Sequence, residues 1–497
     1  MKKYILIIST LFCLVVNNSC SERDLVLLPP SADELTDVNS ERKLQQLLNG
    51  AYLHISTTNV YGTQAMVYGD LMADKMFVNS NPSFLNTFNY NYNSTQQSEF
   101  GGFYEGLYKV IANCNLLINN TVVPSSENVI RLKAEAKALR GLAYFTLVNY
   151  YSPSPKSGIN QEYGVPIVLE NYDVNIEPAR ASVGEVYAQI ISDLKEGILH
   201  GENIPANKST LGVAATKLIL SKVYLTRRAQ GDAELALQLA TEVRDLAATN
   251  YISSASFNPF VVGQNIAVGD YYNYFAGQSD ADYENHPETL WELDLNTDTN
   301  RFNGIGANVA LPGYYYRLDP KRCFLFNQTF YNSFATTDVR RGNQAATSLL
   351  TSQGVPIMDT PRGYWTNKYP QISTEGRYYR NIKILRYSEA YLNRIEALHL
   401  TGQNALALTE LNAFATSRKG TLYTGADILS DILAERSKEF YGEGQRFLDL
   451  KRYNLPVERP SNCTVCSLAA TDKLFVFPMS QGALNTNPNL KQYPGYN

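Results

Sequence analysis

Tryptophan is nearly missing from this chain, with 2 in 497 residues, and histidine is scarce at 4. None of the histidines, His54, His200, His286 and His399, stands in a paired motif such as H-E-x-x-H, so the zinc-peptidase signature is ruled out. A glycine-rich phosphate loop and a G-x-S-x-G nucleophile turn are absent too, and with them the usual marks of nucleotide and acyl-transfer chemistry. An enzyme is not expected, and neither is a cofactor or a metal. Charged residues make up only 18% and the net charge is -4, so a broad basic surface for nucleic acid is excluded. Beyond residue 20 no apolar run is long enough to cross a bilayer.

What the chain has in excess is tyrosine, 35 residues of it. A tyrosine ring is flat and apolar but carries a hydroxyl that wants a hydrogen bond, so an excess suits half-wet contact surfaces and hints at a binding protein. The N-terminus reads as an export signal, with Lys2 and Lys3, an apolar run from Tyr4 to Val16, and small or polar residues ending at Cys20. Ser19-Cys20 resembles a bacterial lipoprotein signal, in which the cysteine becomes the new N-terminus and carries the lipid. Residues 1–19 are then a signal peptide and 20–37 a lipidated tether containing Pro29-Pro30. Glu22 and Asp24 resemble the acidic patch that sends lipoproteins of the Bacteroides group to the outer cell surface.

With Cys13 in the leader and Cys20 lipidated, Cys114, Cys323, Cys463 and Cys466 remain, too few for a disulfide framework in a chain of this length. Cys463-Thr-Val-Cys466 has metal-ligand spacing but no second pair or nearby histidine, which leaves a local disulfide or two free thiols. Asp294-x-Asn296-x-Asp298-x-Asn300 starts like a calcium loop. Thr299 and Ile305 stand where such a loop needs Gly and Glu, so a polar turn is expected.

From residue 38 to 497 the chain reads as a single domain dominated by helical periodicity. Ala136, Leu139, Ala143, Leu147 and Tyr150 recur at steps of three and four, and Pro153 and Pro155 stop that helix. Ala214, Leu218, Ser221 and Leu225 turn at Gly231-Asp232 and return through Ala236, Leu239, Ala240 and Val243, which is a helical hairpin. Another runs through Tyr387, Tyr391, Ile395 and Leu398, turns at Thr401-Gly402-Gln403 and returns through Leu408, Leu411 and Ala415. Small residues on facing stripes are how tetratricopeptide-type hairpins pack, so helical repeats are expected over about residues 131–250 and 382–454. Between about 253 and 376 the texture changes to Tyr, Asn, Gly, Asp and Thr, predicting a loop-rich insert with short strands on which binding groups concentrate.

Several ordered motifs carry a family resemblance. Glu135-Ala-Lys-Ala-Leu-Arg140-Gly-Leu-Ala-Tyr144-Phe145, Gly164-Val-Pro166-Ile, Thr337-Asp338-Val-Arg340 and Leu385-Arg386-Tyr387-Ser-Glu389-Ala-Tyr391-Leu392 with Glu396-Ala397 come first. The run from Ile432 to Asn454 is the most specific, with Glu435-Arg436, Glu439, Glu443-Gly444-Gln445-Arg446 and Asp449-Leu-Lys-Arg452. Phe477-Pro478-Met479, Asn487-Pro488-Asn489-Leu490 and Gln492-Tyr-Pro-Gly495-Tyr496 complete the order. Nearly end to end, the chain resembles the SusD/RagB family of outer-membrane nutrient-binding lipoproteins. The resemblance implies an all-α dominated, tetratricopeptide-like helical hairpin superhelix at the cell surface. It further implies a partner, a TonB-dependent barrel of the SusC type, and a ligand captured for import, in most members a glycan and in some a peptide. The family's ligand-contacting aromatics follow no motif, so the site is read from chemistry.

The charge-dense run places Glu435, Arg436, Glu439, Glu443, Arg446, Asp449 and Arg452 at helical spacings of three and four, where carboxylate and guanidinium pair. Arginine lowers a neighbouring carboxyl pKa, the wrong direction for a general acid near neutrality, so these are read as structural ion pairs. The ligand site is placed on aromatic clusters flanked by Asn, Asp and Arg: Tyr90 and Tyr92 beside Phe88, Tyr272 and Tyr274 beside Tyr271, Tyr314 and Tyr316 beside Arg317, and Trp365 after Tyr364. Sugar rings present flat C–H faces ringed by hydroxyls, which such neighbours match. Oligosaccharide capture leads; peptide capture by the same architecture and a helical scaffold holding a partner protein are the rival readings.

Overall fold

Helix starts are written into this chain by serine. Ser40, Ser126 and Ser182 each accept a hydrogen bond from the backbone three residues on, and Glu185 returns the bond to Ser182 to complete a capping box. These serines open α1 (Glu41–Ile55) and, after α2 (Gln64–Leu71), β1 (Met76–Val78), α3 (Leu85–Phe88) and α4 (Gln97–Ile118), the long α5 (Glu127–Tyr151) and α6 (Val183–His200). The computed structural model describes residues 38–496 apart from 80–82, 94–96, 174, 204, 206, 251–267, 278–282, 285, 296–309, 343–347, 353–360 and 372–377. The leader, the tether with Cys20 and residues 296–300 of the calcium-like run lie outside the described residues.

From Ala134 onward α5 is buried on nearly every side, as befits the central helix of an array rather than a surface one. It ends at Ser152, just before Pro153, as the sequence predicts. Helices α4 and α1 cover one side of it and α6 the other, where Ala138 and Gly197 meet so closely that a Cβ on Gly197 would lie 2.8 Å from that of Ala138. The array continues through α7 (Val213–Arg227) and α8 (Asp232–Asn250), the hairpin predicted from spacing, whose turn holds Gly231 at φ +83°. This is the all-α dominated, tetratricopeptide-like stacking of helical hairpins.

Short elements follow: α9 (Val268–Ala276), β2 (Thr289–Leu293), α10 (Leu311–Tyr315), β3 (Phe324–Phe326), α11 (Gln328–Asn332), β4 (Leu350–Thr351), β5 (Trp365–Thr366) and β6 (Ile382–Arg386). Strand β6 runs straight into α12 (Tyr387–Leu400), which forms the second predicted hairpin with α13 (Asn404–Ser417) and packs on α8. Then come α14 (Ile428–Glu439), α15 (Arg446–Arg452), β7 (Val457–Glu458), β8 (Ser467–Leu468) and α16 (Gln481–Thr486). Among the described residues the strands form separate antiparallel ribbons, β1 with β3, β2 with β6, β4 with β5 and β7 with β8. Cys463 and Cys466 form a disulfide between β7 and β8, while Cys114 and Cys323 are buried thiols.

The charged run after α13 pairs across the fold rather than along its own helices. Arg340 is fully buried and meets Asp338 at 2.7 Å, Glu435 at 2.7 Å and Glu439 at 3.3 Å. Arg386 reaches Glu439 at 2.6 Å and Glu443 at 2.9 Å, and Arg418 reaches Glu439 at 3.2 Å. Arg436 and Arg452 share Asp449 at 3.0 and 2.8 Å, and Arg446 holds Asp74 at 2.9 Å. Only Asp449 and Arg452 match the local spacing anticipated from sequence; the other carboxylates find partners on distant segments because α14 and α15 are buried against them. Burial alone would raise the Glu439 carboxyl, but the guanidinium groups of Arg418, Arg386 and Arg340 outweigh it and hold the group well below the usual carboxylate range. The backbone joins in at Gly444, where φ is +74° and the N–H donates to Asp70 at 2.6 Å. A Cβ on Gly69 would lie 1.8 Å from the Gly444 carbonyl, so α2 and this turn cross in direct backbone contact.

The acid limb of stability follows from the sign of these shifts. Glu439 is held low, Glu396 is lowered, and Asp449 is lowered to about 2; in each case burial is opposed and overcome by arginine. A carboxyl depressed in the folded state contributes stability that is complete above its unfolded pKa and is lost as pH falls through the folded value. Calorimetric melts should therefore show a melting temperature that falls steadily below about pH 4, the unfolded carboxylate range, and Glu439→Gln should flatten part of that dependence while destabilising at neutral pH by about 3 kcal/mol or more. Arg446→Ala, which leaves buried Asp74 with Lys75 as its remaining cation, should lower the melting temperature yet leave ligand affinity per folded molecule intact; a stable Arg446→Ala protein that had lost binding would show the cluster to be a ligand site.

Candidate functional site

Five of the seven aromatic residues placed in the ligand site are core residues, and each has a local reason. Tyr90 sits at φ +53°, which turns its ring inward so that the hydroxyl donates to the Met72 carbonyl. Tyr92 donates to the Leu474 carbonyl and packs at 4.9 Å against Phe100. Between them and Phe88 lies Arg459, 4.3 Å from the Phe88 ring and 4.5 Å from that of Tyr90, donating to the carbonyls of Leu71, Ala73 and Phe88. The alternation Phe88, Tyr90, Tyr92 is therefore the wall of a buried arginine site and not an exposed platform.

The same correction applies to Tyr274, Tyr314 and Trp365. In α9, Tyr271, Tyr274 and Phe275 fall at the three- and four-residue spacing of one helical face, which is packed inward, and Tyr274 shares a hydrogen bond with Thr289 at 3.0 Å. In α10, Tyr314 and Tyr315 are buried, with Tyr314 edge-on to Phe84 at 5.1 Å. Trp365 is fully buried in the β4–β5 ribbon. Trp291, in β2, is fully buried as well.

Tyr272 and Tyr316 are different. Tyr272 lies on the outward flank of α9 beside exposed Asp270 and Asn273, and Tyr316 follows the last turn of α10; both are half-buried. The two lie within electrostatic reach of each other: burial first, and then the Tyr316 hydroxyl, raise the Tyr272 hydroxyl above its ordinary value, while Arg317 acts on it in the opposite sense. Arg317 is half-buried, and its Nε is enclosed without a hydrogen-bond partner among the described residues. The structure thus joins two half-open tyrosines and a guanidinium from clusters that are far apart in sequence, a set able to hold a flat polar ring by stacking and donor hydrogen bonds.

The histidines remain apart from this patch. His286 is buried, accepts a hydrogen bond from the Glu288 N–H at 3.0 Å, and is pushed down to about 3 by burial and by Lys383 and Lys208, so it is neutral at physiological pH. His399 pairs with Asn404 at 2.8 Å on the α12–α13 turn. No group of His, Cys, Asp and Glu that could hold a metal occurs among the described residues. Sequence reading passed over Tyr104, Tyr108 and Tyr172, which border a cavity of about 980 Å³. The signal was present, since Tyr104 and Tyr108 are four apart on a helix and Tyr172 stands between Asn171 and Asp173.

Comparison with known proteins places this architecture. A family described as starch-binding and associating with the outer membrane matches residues 26–225, and the SusD family matches residues 326–462. SusD-like protein P38 of Formosa agariphila is 26% identical over 550 aligned positions that span 100% of both chains. A Bacteroides vulgatus protein whose name refers to sugar binding is 26% identical, with a TM-score of 0.79 over 93% of this chain and 100% of that one. A SusD superfamily protein of Bacteroides thetaiotaomicron is 25% identical, with a TM-score of 0.76 over 92% of this chain and 100% of that one. The chain belongs to the SusD/RagB family, a family of carbohydrate-binding nutrient-uptake proteins associated with the outer membrane.

Proposed function

We propose that this chain is a lipid-anchored protein of the outer cell surface that captures oligosaccharides and delivers them, chemically unchanged, to a SusC-like TonB-dependent transporter. The observation that carries the proposal is that Tyr272, Tyr316 and Arg317 are all half-buried and within electrostatic reach of one another, with exposed Asn273 and Asp270 next to Tyr272 in the chain. The starch-binding description of the matching family and the sugar-binding name of the Bacteroides vulgatus relative support a glycan as the ligand. No helix among the described residues is long and apolar enough to cross a membrane, which suits attachment through the lipid on Cys20.

Two rings and one arginine make a modest site. Stacking contributes on the order of 1 kcal/mol per ring beyond area burial, and ordering a flexible oligomer offsets much of it. Affinity should lie in the micromolar range or weaker by rough affinity arithmetic, and a carrier that must release its ligand at a transporter gains from that.

Tyr272→Ala and Tyr316→Ala should each weaken oligosaccharide binding by about tenfold with little change in melting temperature. Tyr90→Ala and Tyr314→Ala should do the reverse, costing about 3 kcal/mol of stability as core truncations and leaving affinity unaltered. Calorimetry on all four, with chromatography of the recovered ligand, tests the assignment; normal binding by both Tyr272→Ala and Tyr316→Ala would remove the patch, and a cleaved ligand would overturn the non-enzymatic reading.

Anchoring has its own test. Cys20→Ala should release the protein from the cell surface into the soluble fraction, measured by surface labelling and fractionation; a variant that stayed on the surface would place the attachment elsewhere.

A further inference from the structure

Away from Tyr272 and Tyr316, a groove of about 980 Å³ runs between α4, the extended strap of residues 166–173 and α16. This volume is typical of small-ligand pockets. Its floor is aromatic: Tyr104 and Tyr108, one turn apart on the same face of α4, have ring centroids 4.7 Å apart and planes inclined at 49°. Tyr108 is fixed by donating its hydroxyl to the Pro166 carbonyl at 2.7 Å, which ties the helix to the strap. On the strap, Tyr172 is 79% exposed. An aromatic ring this open contributes little to folding.

The strap's backbone is already spoken for. The Val168 carbonyl accepts from Asn115 and Tyr144, Leu169 from Asn119 and Glu170 from Asn115, at 2.8 to 3.0 Å, and the Val168 N–H donates to the Tyr144 hydroxyl at 2.7 Å. An extended peptide that recognised this edge by adding a strand would find these groups occupied. Recognition is left chiefly to side chains, and beside the aliphatic Ile111, Ile167, Leu169 and Ile176 these offer aromatic faces, amides, hydroxyls and carboxylates. Glu105, Glu170 and Asp173 line the groove, while no Lys, Arg or His is among the described residues that do so. Lys109, one turn along α4 from Glu105, is engaged with it at 2.7 Å. A sulfated or uronate-rich chain would face carboxylates, while the cation nearest the floor tyrosines, Arg180, is already engaged by the carbonyls of Gly164, Tyr151 and Tyr163. A neutral, hydroxyl-rich ring has what the lining accepts, with O–H donors for the carboxylates and C–H faces for the tyrosines.

We propose that the groove between α4, residues 166–173 and α16 is a second saccharide site, selective for neutral oligosaccharides and independent of Tyr272 and Tyr316. It rests on the oligosaccharide-capture reading.

The test uses the full chain with maltohexaose, cellohexaose and xylohexaose as neutral probes and a galacturonate hexamer as the anionic one, in calorimetry together with amide exchange. For the neutral probe that binds best, amides of residues 101–112 and 166–173 should gain protection. Tyr172→Ala, too exposed to affect folding, should weaken one class of binding by about tenfold while Tyr272→Ala and Tyr316→Ala leave that class unchanged. Tyr104→Ala should behave like Tyr172→Ala, provided its melting temperature is kept. If Tyr272→Ala or Tyr316→Ala abolishes all binding while Tyr172→Ala binds as wild type and the groove gains no protection, the second site is wrong and the capture reading survives. Binding of the galacturonate hexamer in the groove in preference to every neutral probe would overturn the selectivity argued here. Should no oligosaccharide bind the wild-type protein, both proposals fall together.

Discussion

Glu439 is the charge on which the packing of this protein turns. Its carboxylate is completely buried and receives Arg340 from the segment after α11, Arg386 from the end of β6 and Arg418 from the C-cap of α13. None of these charges could be left alone in the interior, because an unpaired buried ion costs several kcal/mol, whereas the paired set is tolerated. The segments that supply them must therefore arrive together. Glu443 extends the arrangement to Lys368 at 2.6 Å, and Arg446 carries it to Asp74 near the other end of the chain.

The same hub sets which tyrosine of the candidate site faces outward. Tyr271 of α9 donates to Glu439 at 3.3 Å, and Lys368 and Arg386 lie over the Phe275 ring at 4.6 and 5.6 Å. These contacts fix the rotation of α9 with Tyr271, Tyr274 and Phe275 inward. Tyr272 is then left on the flank, within electrostatic reach of Tyr316. The most specific sequence signature of the family thus acts on the candidate patch from below, by orienting a helix. A charge-dense run that looks like a reactive centre is an ion-paired scaffold, in which arginines hold Glu439 and Asp449 below the usual carboxylate range.

Tyrosine abundance has a matching double explanation. Many rings are core residues whose hydroxyls end on backbone carbonyls, as Tyr90 does at Met72, Tyr144 at Val168 and Tyr151 at Phe100. The bonds to Met72 and Val168 tie non-helical segments to helices where no regular ladder can reach, since a buried carbonyl there still needs a donor, and the bond to Phe100 ties α5 to α4. Other rings stay partly open among the described residues, such as Tyr272 and Tyr316 on one patch and Tyr104, Tyr108 and Tyr172 along the groove.

Periodicity and capping residues were enough to read the helical array. Ala136 to Tyr150, and the two hairpins at Gly231 and Gly402, could be read directly because helix formation and close small-residue packing are governed by neighbours three and four positions away. The resemblance carried by Glu435 to Arg452 was equally readable, as an ordered set of residues. What residue order could not convey was direction. Whether Tyr90 or Tyr272 faces water depends on a positive φ at Tyr90 and on a helix rotated by a glutamate about 170 residues away, a separation of the kind only the folded chain closes. By itself the sequence determined the helices, their hairpins and the family; the tertiary structure alone decided which aromatic faces stayed open, because burial is a property of the packed surface and not of any residue's neighbours in the chain.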